Sequence, residues 1–255
     1  MKALLLCDDT EAASVAPLCQ RYGVGVEVQA FYDPEVIEQP RALPEHERLI
    51  EGITPRGLHG PFGDLCPGSF DPMVRDVART RFEQAYSVAQ QLGAEHIVLH
   101  HGYVPGTSGH SNWLKRSAAF WHDFILGKEG VRVHVENMLE HDPELLADVI
   151  DAVDSPALDI CFDTGHAHCN GRVAVLDWIE RLGSRIGYVH LHNNHGSEDE
   201  HLGLGDGTIP MEDVLAALED HAPDALWAIE AQVPYLEASL AWLAERGYVQ
   251  DRRAA

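Results

Sequence analysis

Six side chains that can each offer a lone pair to a metal ion recur along this chain at or near the ends of short apolar runs: His59, His100, Glu136, Asp163, His190 and Glu230. Taken singly, such an imidazole or carboxylate is most often a hydrogen-bonded core or surface group. Six in equivalent positions point to a shared purpose, because carboxylates gathered in one cavity stay ionised together only if cations offset their repulsion. The segment Asp163-Thr164-Gly165-His166 sets an imidazole three residues beyond a carboxylate, and the glycine between them lets the turn bend so that both face one ion. Asp199-Glu200-His201 offers another carboxylate and imidazole two residues apart, which an extended segment would place on one side. Gly203, Gly205 and Gly207 follow, and a tight glycine loop can fold that segment over a site. Mixed nitrogen and oxygen donors suit zinc, manganese or iron better than calcium.

The elements that must carry these groups are legible as apolar segments alternating with amphipathic ones. Strands are expected over residues 2–8, 25–31, 57–62, 96–101, 131–138, 158–163, 186–193 and 226–231. Between Asp71 and Gly93, Val74, Val77, Ala78, Phe82, Ala85, Ala89 and Leu92 recur at helical steps and predict one buried stripe. Asp71-Pro72 is a helix start and Gly93 a helix stop, and Asp33-Pro34 and Asp142-Pro143 repeat the start signal. Later helices are expected over 172–182, 210–221 and 235–246, with Trp178, Leu215, Leu218, Leu240 and Leu243 in the core and a frayed tail over 250–255. Eight such units, with no linker or composition break, predict a single α/β domain over residues 1–255: a (β/α)8 TIM barrel. An open doubly wound sheet is the runner-up. A barrel gathers all strand ends around one axis, whereas an open sheet spreads them in a line.

Neighbouring groups have plainer readings. His192 shares a strand face with His190 and is a candidate for substrate or a second metal, with packing the commoner outcome. His134, two residues before Glu136, should point into the barrel and take a hydrogen-bonded supporting role, and Cys161 should fill the interior. His168 and Cys169 read as loop packing, while His46, His96, His110, His122, His141, His195 and His221 fall on polar helices, turns or strand starts.

Composition narrows the partners. With 41 acidic against 18 basic residues the formal net charge is −23, a field that repels polyanions, so neither DNA nor RNA is an expected partner. No apolar run approaches the roughly 20 residues needed to span a bilayer, and the N-terminal run reads as a first strand and not a signal peptide. Five cysteines without a C-x-x-C pair fit reduced thiols in a cytoplasmic protein, with no structural disulfide.

The motifs His59-Gly60-Pro61-Phe62, Val98-Leu99-His100-His101-Gly102, Val135-Glu136-Asn137, Phe162-Asp163-Thr164-Gly165-His166, Val189-His190-Leu191, Asp199-Glu200-His201 with Gly203-Leu204-Gly205-Asp206-Gly207, and Ile229-Glu230 resemble the xylose isomerase-like barrel superfamily. That superfamily holds sugar isomerases, sugar epimerases and type IV AP endonucleases. The resemblance covers strands three to eight; the first two carry no motif. Resemblance to the epimerases implies one divalent metal on Glu136, Asp163, His190 and Glu230, with Glu136 and Glu230 also moving protons. Resemblance to the endonucleases implies three zinc ions on His59, His100, Glu136, Asp163, His166, His190, Asp199, His201 and Glu230. One to three Zn, Mn or Fe ions are therefore expected.

The leading expectation is an isomerase or epimerase of a small sugar, sugar phosphate or keto-polyol, in which His166 orients a substrate oxygen. A multinuclear phosphoesterase acting on a small phosphorylated substrate is the second reading, and a non-catalytic metal-binding barrel the third.

Overall fold

The computed structural model describes residues 3–253. Met1, Lys2, Ala254 and Ala255, which the expected first strand and tail include, lie outside them. Eight parallel strands close into a barrel in chain order: β1 (Leu4–Cys7), β2 (Gly25–Val28), β3 (Arg56–His59), β4 (His96–His100), β5 (Arg132–Glu136), β6 (Leu158–Asp163), β7 (Ile186–Leu191) and β8 (Leu226–Ile229), with β8 pairing back onto β1. Closure excludes the open sheet.

Strand alternation does the positioning. One parity sends Leu4, Leu6, Val133, Val135 and Phe162 outward under the helices. The other sends Leu5, Cys7, Val98, Cys161, Tyr188 and Ala228 inward, where they pack on one another and Cys161 fills the interior as expected. His100, Asp163 and His190 each stand two residues beyond one of these inward groups, so they crown the packed interior at the mouth.

The helices cover the outside: α1 (Ala12–Tyr22), α2 (Pro34–Ile37), α3 (Ala42–Leu49), α4 (Pro72–Gln91), α5 (His110–Ile125), α6 (Glu144–Val153), α7 (Thr164–Asn170), α8 (Val175–Leu182), α9 (Met211–His221) and α10 (Val233–Glu245). Helix α4 starts as read: Asp71 Oδ1 accepts from Met73 N at 2.8 Å, and Gly93 is left-handed at φ 64°. Ala78, Phe82, Ala85, Ala89 and Leu92 are buried, as are Trp178, Leu215, Leu218, Leu240 and Leu243.

Several expectations need correction. Val74 and Val77 are 37% and 56% exposed. A helix of 20 residues runs about 30 Å against about 17 Å for the five-residue β4, so the first turns of α4 overhang the sheet. Asp142-Pro143 starts α6 one residue late, with Pro143 at the cap. The segment after β6 is not a turn but α7, whose first turn is capped by the Asp163 carboxylate. His168 and Cys169 accordingly lie on a helix. The tail does not fray at Asp251, which Arg21 holds through Nη2 at 2.6 Å.

All five cysteines are free thiols, and no helix among the described residues is long and apolar enough to cross a membrane.

Phe82 is fully buried and stacks on Trp121 with ring centroids 5.6 Å apart. Phe82→Ala should cost about 3–5 kcal/mol in denaturant unfolding, whereas Val77→Ala on the exposed turn should stay within about 0.5 kcal/mol.

Candidate metal centre

Four donors converge on the axis at the barrel mouth. His190 Nδ1 lies 3.1 Å from Glu136 Oε1, 3.1 Å from Glu230 Oε2 and 3.8 Å from Asp163 Oδ2. They come from β5, β6, β7 and the residue just past β8. Glu230 Oε2 is buried and has no hydrogen-bond partner despite its nearness to that nitrogen. Lone pairs facing one another across 3–4 Å, without enough hydrogens between them, are a chemistry that a divalent cation satisfies.

Glu136 faces two ways. Its Oε1 meets His190, while its Oε2 lies 3.2 Å from His59 Nε2 and 3.2 Å from His100 Nε2. The donor atoms of His59, His100 and Glu136 all fall within 4.8 Å of one another, and so do those of His166, Asp199 and His201. All nine residues singled out in the sequence therefore stand in one continuous cluster of three groups, with Glu136 shared by two.

The imidazoles are aimed by what holds their far nitrogens. His59 Nδ1 lies 2.9 Å from the Gly60 carbonyl, His166 Nδ1 2.9 Å from that of Asn137, and His201 Nδ1 2.7 Å from that of Glu230. A carbonyl only accepts, so each Nδ1 must donate, and in the neutral ring Nε2 is left with a lone pair directed at the cluster. His201 reaches this pose by a route the sequence did not disclose. It sits in the left-handed region at φ 48°, so a tight bend and not an extended segment brings its Nε2 to 2.9 Å from Asp199 Oδ2. The glycine loop beyond is tightly closed: a Cβ on Gly207 would come within 2.2 Å of Asn193 Oδ1.

Charge follows geometry. Burial alone would raise the Glu136 carboxyl, but His190 and His100 hold it well below its usual range. Asp163 is likewise brought down to about 2, against its burial, by His166 and His192. Burial would lower His201, but the hydrogen bond with Asp199 lifts it to about 10. His166 and His190 are held well above the usual imidazole range in spite of burial, with Asp163 the leading upward influence on the first and Cys161 and Glu230 on the second. Burial dominates at His100, which falls.

The cluster floors a cavity of about 480 Å³ whose wall includes Asp9, Thr10, Gln29, Tyr32, Phe62, Met138 and Gln232. Two of its supports were missed. Gln29, just past β2, donates to Glu230 Oε1 at 2.7 Å, and the buried Glu27 on β2 lies 3.1 Å from His190 Nε2. The first two strands carry no motif, yet β2 and its end supply both groups; the available signal was an acid flanked by valines in an inward register.

His192 joins the cluster at its edge: its Nε2 lies 3.0 Å from Asp163 Oδ2, its ring stacks on His201 at 4.1 Å, and its donor atom falls within 4.8 Å of those of His201 and Glu230. Gly165 leaves the room, because a Cβ there would come within 2.0 Å of the His192 ring. His134 does point inward but supports the floor, pairing with Asp159 and, at 2.9 Å, with His96, and it touches none of the nine. His101 is a strut between Glu140 and Trp113.

A family model described as xylose isomerase-like TIM barrel matches residues 15–246. Among curated relatives, an uncharacterized protein of Methanocaldococcus jannaschii, MJ1311, is 33% identical over 68% of this chain, and the match spans 63% of that relative's length. A protein named probable endonuclease 4 of Mycobacterium ulcerans is 25% identical over 90% of this chain and 94% of its own. Two solved structures are similar throughout. The TTHB071 protein from Thermus thermophilus, soaked with ZnCl2, is 28% identical with a TM-score of 0.78, covering 96% of this chain and 97% of that one. A D-tagatose 3-epimerase-like protein is 26% identical with a TM-score of 0.81, covering 96% of each.

His166, His190 and His201 are each held above the ordinary histidine value, which favours their protonated forms in the metal-free protein. A cation must displace those protons. Zinc binding should therefore release protons and tighten as pH rises through neutrality, read by titration calorimetry in buffers of different ionisation enthalpy. A heat independent of buffer would contradict this.

Proposed function

Because the chain belongs to the xylose isomerase-like TIM barrel family, we propose that it is a metal-dependent isomerase or epimerase of a small sugar or related keto-polyol. The observation that carries this reading is the approach of Glu136 and Glu230 to a common point from β5 and from the end of β8, with Asp163 and His190 completing the donor set. These four residues would hold the cation. When bound, it would act as a Lewis acid toward a carbonyl and its neighbouring hydroxyl, making the carbon acid between them easier to ionise.

The two glutamates then divide the proton work. One carboxylate removes the proton from carbon on one face of the substrate, and the other returns a proton to the opposite face, which inverts that centre. His166 Nε2, at the rim and 3.2 Å from Asp199, orients a substrate oxygen. The wall supports a polyol: Gln29, Thr10 and Gln232 offer hydrogen bonds, and the Tyr32 and Phe62 rings, 5.4 Å apart and nearly parallel, offer an apolar face to C–H groups. No lysine or arginine lines the cavity among the described residues, so an uncharged sugar fits it better than a phosphate ester.

A second reading, a multinuclear phosphoester hydrolase, is favoured by the two flanking groups, His59–His100–Glu136 and His166–Asp199–His201, and by the likeness to a protein named probable endonuclease 4. Duplex DNA remains disfavoured by the net charge of −23.

Glu136→Gln and Glu230→Gln should each abolish turnover of the ketose that wild type converts, with far-UV spectra unchanged. The panel should include ketohexoses and ketopentoses, small phosphate esters and an abasic-site duplex. Near-normal epimerisation by either variant would remove the two-base mechanism, and hydrolysis of an ester or incision of the duplex by wild type would promote the second reading.

A further inference from the structure

Glu27 is a fully buried carboxylate at the centre of β2, deep to the cluster. Its Oε2 accepts from the Tyr188 hydroxyl at 2.7 Å, and the Cys7 thiol donates to its Oε1 at 3.4 Å. Its remaining acceptor capacity faces one group, His190 Nε2, at 3.1 and 3.2 Å from the two oxygens. The pocket around it is built for this contact. A Cβ on Gly57 of β3 would lie 2.9 Å from the Tyr188 hydroxyl oxygen and 3.3 Å from Glu27 Cγ, so the missing side chain leaves the space through which the phenol reaches the acid. A carboxylate taken out of water is costly unless donors meet its oxygens, and here three side chains do.

The consequence lies on the other nitrogen of the same ring. His190 Nδ1 faces the carboxylates of Glu136, Asp163 and Glu230. Left to those acids, a neutral His190 would place its hydrogen on Nδ1 and donate into the cluster, which blocks the lone pair. An acceptor fixed at Nε2 reverses that preference, since a ring nitrogen that must donate keeps the hydrogen and frees its partner. His59, His166 and His201 are aimed the opposite way round, with Nδ1 on a carbonyl and Nε2 toward the site. His190 presents Nδ1 instead, and Glu27 stands where a carbonyl stands for those three.

We propose that Glu27 is a positioning residue that fixes His190 as its Nε2–H tautomer and thereby turns the Nδ1 lone pair toward the cation held with Glu136, Asp163 and Glu230. This rests on the metal-centre reading above. Glu27 touches neither substrate nor cation in this role.

Glu27→Gln tests it, because the amide has the same shape. With Tyr188 still donating to the amide oxygen, an NH2 group takes the place of Oε1, 3.2 Å from His190 Nε2, so one of the two acceptors of that nitrogen becomes a donor and the ring hydrogen is favoured on Nδ1. Apparent zinc affinity, measured by competition with a chromophoric chelator, should fall about 10–100-fold. Nitrogen-15 NMR of the metal-free protein, at a pH where the His190 ring is neutral, should show that ring changing from the Nε2–H to the Nδ1–H form, a signature that loss of packing alone would not produce. Glu27→Asp, which keeps an acceptor at shorter reach, should fall between wild type and Glu27→Gln in affinity and retain the Nε2–H form; it also serves if the amide variant does not fold. Wild-type affinity together with an unchanged tautomer in Glu27→Gln would overturn the proposal while leaving the metal centre intact. A wild-type protein that binds no zinc would overturn the metal centre itself, and this inference with it.

Discussion

The mutual repulsion of carboxylates at the barrel mouth governs this structure. Glu27, Glu136, Asp163 and Glu230 are buried around one imidazole, and Asp199 closes over them from the loop after β7. Water cannot screen them there, so positive charge must be supplied. In the metal-free protein the acids answer it by favouring protonated histidines, and His166, His190 and His201 are all held above their ordinary value. A divalent cation replaces several such protons at once. In the proposed metal centre the same crowding that would destabilise an empty site would become affinity for the cation, with the barrel's packed interior below as the rigid support.

Rigid strands alone would not aim the ligands. Each imidazole has two nitrogens, and only the partner behind it decides which one faces the site. Carbonyls of Gly60, Asn137 and Glu230 do this for His59, His166 and His201, so backbone just past the ends of β3, β5 and β8 orients these side chains. His192 does the equivalent for Asp163, in space that Gly165 leaves open. Glu136, with an oxygen toward each of two groups, joins the pieces into one centre.

Much of this was legible in the sequence because strand parity is a strict period of two. Once Val98, Cys161 and Tyr188 point inward, His100, Asp163 and His190 must follow. Helix α4 was readable from its cap and stripe, and the barrel from eight repeated units. What escaped was set by tertiary contact. Glu27 sits in a valine-rich strand without a motif, and only closure of β1 onto β8 brings β2 within reach of β7. The left-handed backbone at His201 and the helix after Asp163 depend on loop packing that residue spacing does not encode. Val74 and Val77 fit the helical period but overhang the sheet, because periodicity reports a face and not how far the partner surface extends.

The claim on which the account turns is that the nine donors form a metal centre with more than one compartment. Element-resolved metal analysis of the purified wild-type protein beside His59→Ala/His100→Ala measures it directly. The double variant should lose part of the bound metal yet retain at least one equivalent, because Glu136, Asp163, His190 and Glu230 remain a sufficient shell. A wild-type protein without metal would contradict the centre, and a double variant with undiminished metal would contradict its division.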